Sequence, residues 1–176
     1  MLDLQKIHSD RDTLIIALRL AYAYLKAKSF DESDRLFDQI ILEGIKFEDD
    51  KKDDILGEKY EDIISFNEII IRAYLGKSIS CIERNGNPGI ALDNARLAKQ
   101  VIGSPEDCIK GTNSSEHKED YQSRMHHLNA DYEDCMGWIC YDLGLIDEAI
   151  YWLEKSVSEQ AGPSAYFHLA MVSMAV

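Results

Sequence analysis

Four cysteines and five histidines are the residues of this chain best suited to hold zinc. Cys81, Cys108, Cys135 and Cys140 contain no C-x2-C pair, and the last two stand five apart, on different faces of a helix. A set drawn from Cys108, His117, His126, His127 and Cys135 lacks the tight ligand spacing of zinc sites. These cysteines are expected as small core residues and the histidines as solvated side chains. Asp49, Asp50, Asp53 and Asp54 crowd one acidic stretch, but Lys51 and Lys52 interrupt it. A calcium loop needs carboxylates at alternate positions, a central glycine and a closing glutamate. His127 and Asp131 have the spacing of a pair on a solvated helix face. There is no G-x-S-x-G, P-loop or G-x-G-x-x-G pattern. In Gly86-Asn87-Pro88-Gly89 the proline removes a donor that a phosphate cradle would use. The expectation is therefore no metal, no cofactor and no enzymatic activity.

The chain has 176 residues and a formal net charge of −13. That length buries a core without disulfides. The acidic balance opposes binding to nucleic acid or to anionic membranes, which reward a basic face. No apolar run approaches the roughly 20 residues of a membrane helix. The start, MLDLQKIHSD, lacks the basic and apolar regions of a signal peptide, so reduced thiols and a cytoplasmic location are expected.

Helical periodicity organises the chain. Leu14, Ala17, Leu18, Ala21, Tyr22 and Leu25 recur at three- and four-residue steps. Ser29 and Glu32 have capping-box spacing and open a second helix, carrying Leu36, Phe37, Ile40 and Ile41 and ending near Gly44. Residues 46–57 read as a charged loop. A helix over about 58–84 contains Ile69, Ile70 and Ile71, a run that predicts burial on more than one face. Gly86 suits a left-handed helix end and Pro88 a new helix start. Ala91, Ala95 and Ala98 are small enough for close packing in a helix over 88–102. A loop over 103–115 precedes helices at about 116–142, 146–159 and from 164. No segment alternates as a strand does, and the fold class is all-α.

The helices pair, and the pairs carry a degenerate motif. Leu20-Ala21-x2-Tyr24 precedes Phe30-Asp31-Glu32-Ser33-x3-Phe37. Leu75-Gly76-x2-Ile79 precedes Ala91-x3-Ala95, and Met136-Gly137-x2-Cys140 precedes Ala149-x3-Leu153. Tyr166-x2-Leu169-Ala170 begins a half copy. The pattern resembles the tetratricopeptide (TPR) repeat, in which a small residue marks the crossing of two paired helices. Steps of 55, 61 and 33 residues depart from the family period of about 34. The family's signature Trp is replaced by Ala17, Arg72, Glu133 and Tyr166.

The resemblance implies one domain over 1–176, an α-solenoid of antiparallel helix pairs with about three and a half repeats. Their spans would be about 10–45, 58–102, 116–160 and 164–176. The first helix of each pair would line a concave groove. Its faces would be Ile15, Leu18, Tyr22 and Leu25; then Ile70, Ala73, Lys77 and Ser80; then Asp131, Asp134, Trp138 and Tyr141. In the first repeat the apolar residues serve equally well as plain core. The expected function is non-enzymatic binding of a protein or peptide segment with basic and apolar residues. Family members that clamp a chaperone's carboxylate tail line this groove with Lys, Arg and Asn. Here Leu18, Tyr22, Asp134 and Trp138 stand at those places, with only Lys77 basic, so that partner is not expected.

Residues 164–176 contain no Asp, Glu, Lys or Arg. They form one helix without a sequence-encoded cover for Phe167, Met171 and Met174. This predicts that the chain is part of a longer repeat protein, or that the helix is buried against another copy. A structural or assembly role through self-association is the alternative function.

Overall fold

Three tight turns set the architecture. Lys28, Asn85 and Gly144 adopt the left-handed conformation, at φ of 59°, 55° and 73°. The residue after each donates its N–H back across the turn: Ser29 to the Tyr24 carbonyl, Gly86 to Cys81 and Leu145 to Cys140, at 2.8–2.9 Å. Each left-handed residue also bonds three back, to Leu25, Ile82 and Tyr141. All three are the same Schellman helix end, which satisfies the last carbonyls of one helix and reverses the chain. The left-handed residue of the middle turn is Asn85, one place before the expected Gly86. Gly86 serves close approach instead: a Cβ there would lie 2.8 Å from the Cys81 carbonyl oxygen.

The computed structural model describes residues 11–51, 60–103, 115–159 and 162–175. These form seven helices: α1 Arg11–Lys26, α2 Phe30–Lys51, α3 Tyr60–Glu83, α4 Pro88–Ile102, α5 Ser115–Asp142, α6 Ile146–Ser158 and α7 Pro163–Ser173. There is no strand among the described residues. At α4 the Asn87 side chain accepts the Gly89 N–H, and Pro88 occupies the first turn, where its missing donor costs nothing. α2 does not end near Gly44 but runs through Lys51, over much of the expected loop. Gly44 is buried against Ile70, whose Cγ1 would lie 2.6 Å from an added Cβ, so this glycine serves packing rather than termination.

Consecutive helices pack on one another, forming antiparallel hairpins α1–α2, α3–α4 and α5–α6. The odd-numbered helices also pack in succession, α1 on α3, α3 on α5 and α5 on α7. The even-numbered helices make their substantial contacts with the odd helices that flank them. Counting back from the turns aligns Ala21, Ser78 and Gly137, each seven residues before the left-handed residue. At the first crossing Ser33 Oγ donates to the Ala21 carbonyl, and at the second Ser78 Oγ donates to the Ala91 carbonyl. At the third, Gly137 faces Leu153 and Ala149. The small residue of the second hairpin is therefore Ser78, two places after the expected Gly76. Gly76 is small for another reason: an added Cβ would clash with the edge of the Phe37 ring of α2.

The core divides into three clusters along the stack. Leu14, Phe37, Ile40, Phe66 and Ile69 belong to the first, and Ile71, Leu75, Ala95, Leu128 and Ile139 to the second. Cys140, Ala149, Leu153 and Val172 form the third. Ile69 and Ile71 thus serve different clusters from opposite sides of α3, as the isoleucine run predicts. Cys81, Cys135 and Cys140 are buried free thiols, and burial pushes Cys135 up to about 12. Thiolate is the reactive form. At pH 8 the folded protein is expected to leave Cys135 unalkylated by iodoacetamide for hours, whereas the denatured chain reacts within minutes. Peptide mass spectrometry reads this directly, and native labelling at the rate of a free thiol would contradict the α3–α5 packing.

Candidate functional site

The succession of odd helices presents one continuous face, laced by polar contacts between neighbours. Tyr22 of α1 donates its hydroxyl to the Arg72 carbonyl of α3 at 2.8 Å. Its ring meets Phe37 edge-on at 5.3 Å, and burial raises the phenol well above its ordinary pKa. Arg72 extends its guanidinium to Asp131 of α5 at 2.9 Å. Burial raises the Asp131 carboxyl, and the Arg72 charge opposes that rise. Asp134, one turn on, accepts the Ser164 hydroxyl at 3.0 Å and lies 2.7 Å from His168 Nδ1, both on α7.

Beside Asp134 lies a ladder of three rings. Trp138 stacks on Tyr141 at 5.2 Å and on His168 at 4.4 Å, with interplanar angles of 26° and 21°. All three rings are half-buried, so each keeps part of its surface toward solvent. Residues 125–176 hold eight carboxylate side chains against the single Lys155. A half-open aromatic ledge in a field of carboxylates attracts cations and apolar groups together. No family model, curated protein or solved structure matches this chain.

The residues expected to line a groove separate into three groups. Asp131, Asp134, Trp138 and Tyr141 come together on α5 as one half-buried face. Leu18 and Leu25 are buried, Ile15 is half-buried against the first cluster, and Tyr22 bridges α1 to α3. In the first hairpin these residues act as core and as helix-to-helix contact. Ile70, Ala73 and Ser80 are buried, and Lys77 pairs with Asp38 of α2. Ala73 and Lys77 thus turn away from the odd-helix face, because the turn at Asn85 sets a register two residues later than Leu75-Gly76 suggests. In the register of the turns, Arg72, Leu75, Ile79 and Ile82 take their places.

Arg72, Ser164 and His168 were absent from the expected site. Ser164 and His168 stand four apart, a spacing that places both on one face of α7. Ser, His and Asp meet here, but not as a nucleophilic triad. The Ser164 hydroxyl donates to the carboxylate, whereas a triad requires it to donate to the imidazole. Asp131 hydrogen-bonds Arg72, and His127 is exposed. Among the described residues no three His, Cys, Asp or Glu side chains converge as metal ligands. Cys108, Asp53, Asp54 and the side chains of Asp49, Asp50 and His117 lie outside the described residues. No helix among the described residues is long and apolar enough to cross a membrane.

A second polar cluster joins α4, α5 and α6. Glu133 is buried, with Oε1 2.5 Å from Lys155 Nζ and 2.9 Å from the Asn129 amide. Asn129 also donates to Glu159 at 2.7 Å and accepts from Lys99. Next to it lies an open cavity of about 340 Å³, lined by Lys99, Ile102, Met125, His126, Asn129 and Glu159. Lys99, Asn129, Lys155, Glu159 and Glu133 Oε1 are all bonded to one another, which marks the network as a structural joint; Glu133 Oε2 is buried without a donor.

Proposed function

We propose that this chain is a non-enzymatic protein-interaction module, a TPR-like α-solenoid that binds a segment rich in basic and apolar residues. The reading rests chiefly on the α5–α7 ledge, where Asp131, Asp134, Trp138, Tyr141 and His168 gather on a half-open face. The pairing of successive helices and the stacking of odd helices support a repeat architecture. A layer of stacked helices presents an extended surface, which suits a peptide.

The test is peptide binding by fluorescence anisotropy, with Lys/Leu and Glu/Leu peptides of equal length. The basic peptide is expected to bind and the acidic one not. Raising salt from 50 to 500 mM is expected to weaken binding about tenfold, since the Debye length shrinks several-fold over that range. Asp134→Asn, which keeps the side-chain shape and a carbonyl acceptor, is expected to weaken it further. A peptide that ignores both salt and Asp134→Asn would sink this reading. The self-association role remains the competing proposal, and the exposed face of α7 is where it is decided.

A further inference from the structure

The α7 helix has two different sides. Ala165 and Val172 are fully buried against its neighbours, and Leu169 packs on the third core cluster. The opposite side is open: Phe167 is 62% exposed, Met171 37% and Met174 86%, with Ala170 exposed between them. Positions 167, 170, 171 and 174 are one stripe of a helix, at steps of three, four and seven residues. Scattered apolar residues on a surface are ordinary, but a contiguous stripe marks a docking place.

The earlier odd helices show what fits there. In the register of the turns, Leu18, Leu75 and Asp134 occupy the same place. Leu18 and Leu75 are buried, and Asp134 is held by the next odd helix through Ser164 and His168. One further step of 33 residues puts Phe167 at this place and Ala170 at that of Gly137. The stripe therefore continues the interface by which each odd helix receives the next, and a small residue at its centre admits a close helix crossing. The charge of the surroundings selects the occupant. Residues 160–176 carry no charged side chain, while residues 125–159 before them carry eight carboxylates against Lys155. A second copy, itself of formal net charge −13, would set two acidic chains against each other. A basic helix would bring attraction in its place.

We propose that the open stripe of α7 docks an amphipathic, basic helix of a partner protein, laid alongside α7 as the next member of the odd layer. Its apolar face covers Phe167, Met171 and Met174, and its Lys or Arg residues flank the acidic α5–α6 surface. This surface is distinct from the α5 ledge, and the experiment separates them.

Calorimetric titration would use two synthetic helices with the same Leu/Ala stripe, one with Lys and one with Glu on the polar face. The Lys helix is expected to bind at micromolar concentration and the Glu helix at least tenfold more weakly. Phe167→Gln/Met171→Gln, at exposed positions, should keep the circular dichroism spectrum and lose at least tenfold of the Lys-helix affinity. Asp134→Asn, which removes only one of the eight carboxylates, should cost that affinity far less than the α7 double variant does. Equal binding of both helices would overturn the charge argument, and affinity unaffected by the α7 double variant would overturn the site. Sedimentation of the chain alone should give a monomer. A dimer abolished by Phe167→Gln/Met171→Gln would make a second copy the occupant and overturn the proposal.

Discussion

Gly137→Leu is expected to destabilise the protein by about 3 kcal/mol, at the upper end of the usual cost of overpacking a core. For a chain of this size that is a fall of roughly 6–12 °C in Tm. The geometry leaves no room. A Cβ on Gly137 would lie 2.5 Å from Leu153 Cγ and 2.8 Å from its Cδ2, with the Ala149 carbonyl oxygen at 3.2 Å. Leu153 is fully buried, and the carbonyl belongs to the α6 backbone, so relief requires α5 and α6 to separate. On an exposed helix face the same change would stabilise, because leucine exceeds glycine in helix propensity by roughly 0.8 kcal/mol. The sign of the change therefore reports the packing. Gly162→Ala is a suitable control, since no atom lies within 4 Å of its added Cβ and its φ of −67° is ordinary. Thermal melts of the two variants decide the matter. An unchanged or raised Tm for Gly137→Leu would remove the close crossing of α5 and α6.

The same glycines show how much of the fold was legible. Helix pairing was plain because apolar periodicity, Asn87-Pro88 and the breaks near Lys28 and Gly144 are local signals. In the third hairpin Gly137 faces Ala149 and Leu153, since they sit at the distance a tight turn dictates. The second was read two residues out because Leu75-Gly76 imitates the motif. Gly76 is small to admit Phe37, a residue 39 positions earlier, and sequence spacing does not reveal such a contact. Gly44 misled in the same way: its demand for space comes from Ile70, not from a helix end. The acidic and aromatic residues of α5 were legible as one group because they share one face of one helix. Arg72 and His168 were not, since their roles arise from contacts between helices, at separations of 59 and 34 residues.

Lys155→Met is expected to cost at least as much as Gly137→Leu, about 3–5 kcal/mol, because it strands a buried charge. The Glu133 side chain is 1% exposed and Lys155 is 40% exposed, so the pair is asymmetric. Removing the lysine leaves a carboxylate with only the Asn129 amide, and its Oε2 already lacks a hydrogen-bond donor. Removing the glutamate leaves an ammonium that can turn to water. Glu133→Met/Lys155→Met should therefore recover much of the loss, since an apolar pair of similar volume carries no desolvation penalty. The pair also leaves a mark on the pH dependence. The Glu133 hydrogen bond, more than any other effect, raises the Lys155 ammonium above its ordinary value. Its contribution to stability is thus complete below the free-lysine value of about 10.4 and fades as pH rises through the higher folded value. Lys99, lowered by burial, works in the opposite sense, because its charged form is the penalised one. Denaturant unfolding at pH 8 and pH 11 reads both effects. Wild type should lose stability between them more steeply than the double methionine variant. A single Lys155→Met variant as stable as wild type at pH 8 would show that water, not Lys155, neutralises the buried carboxylate.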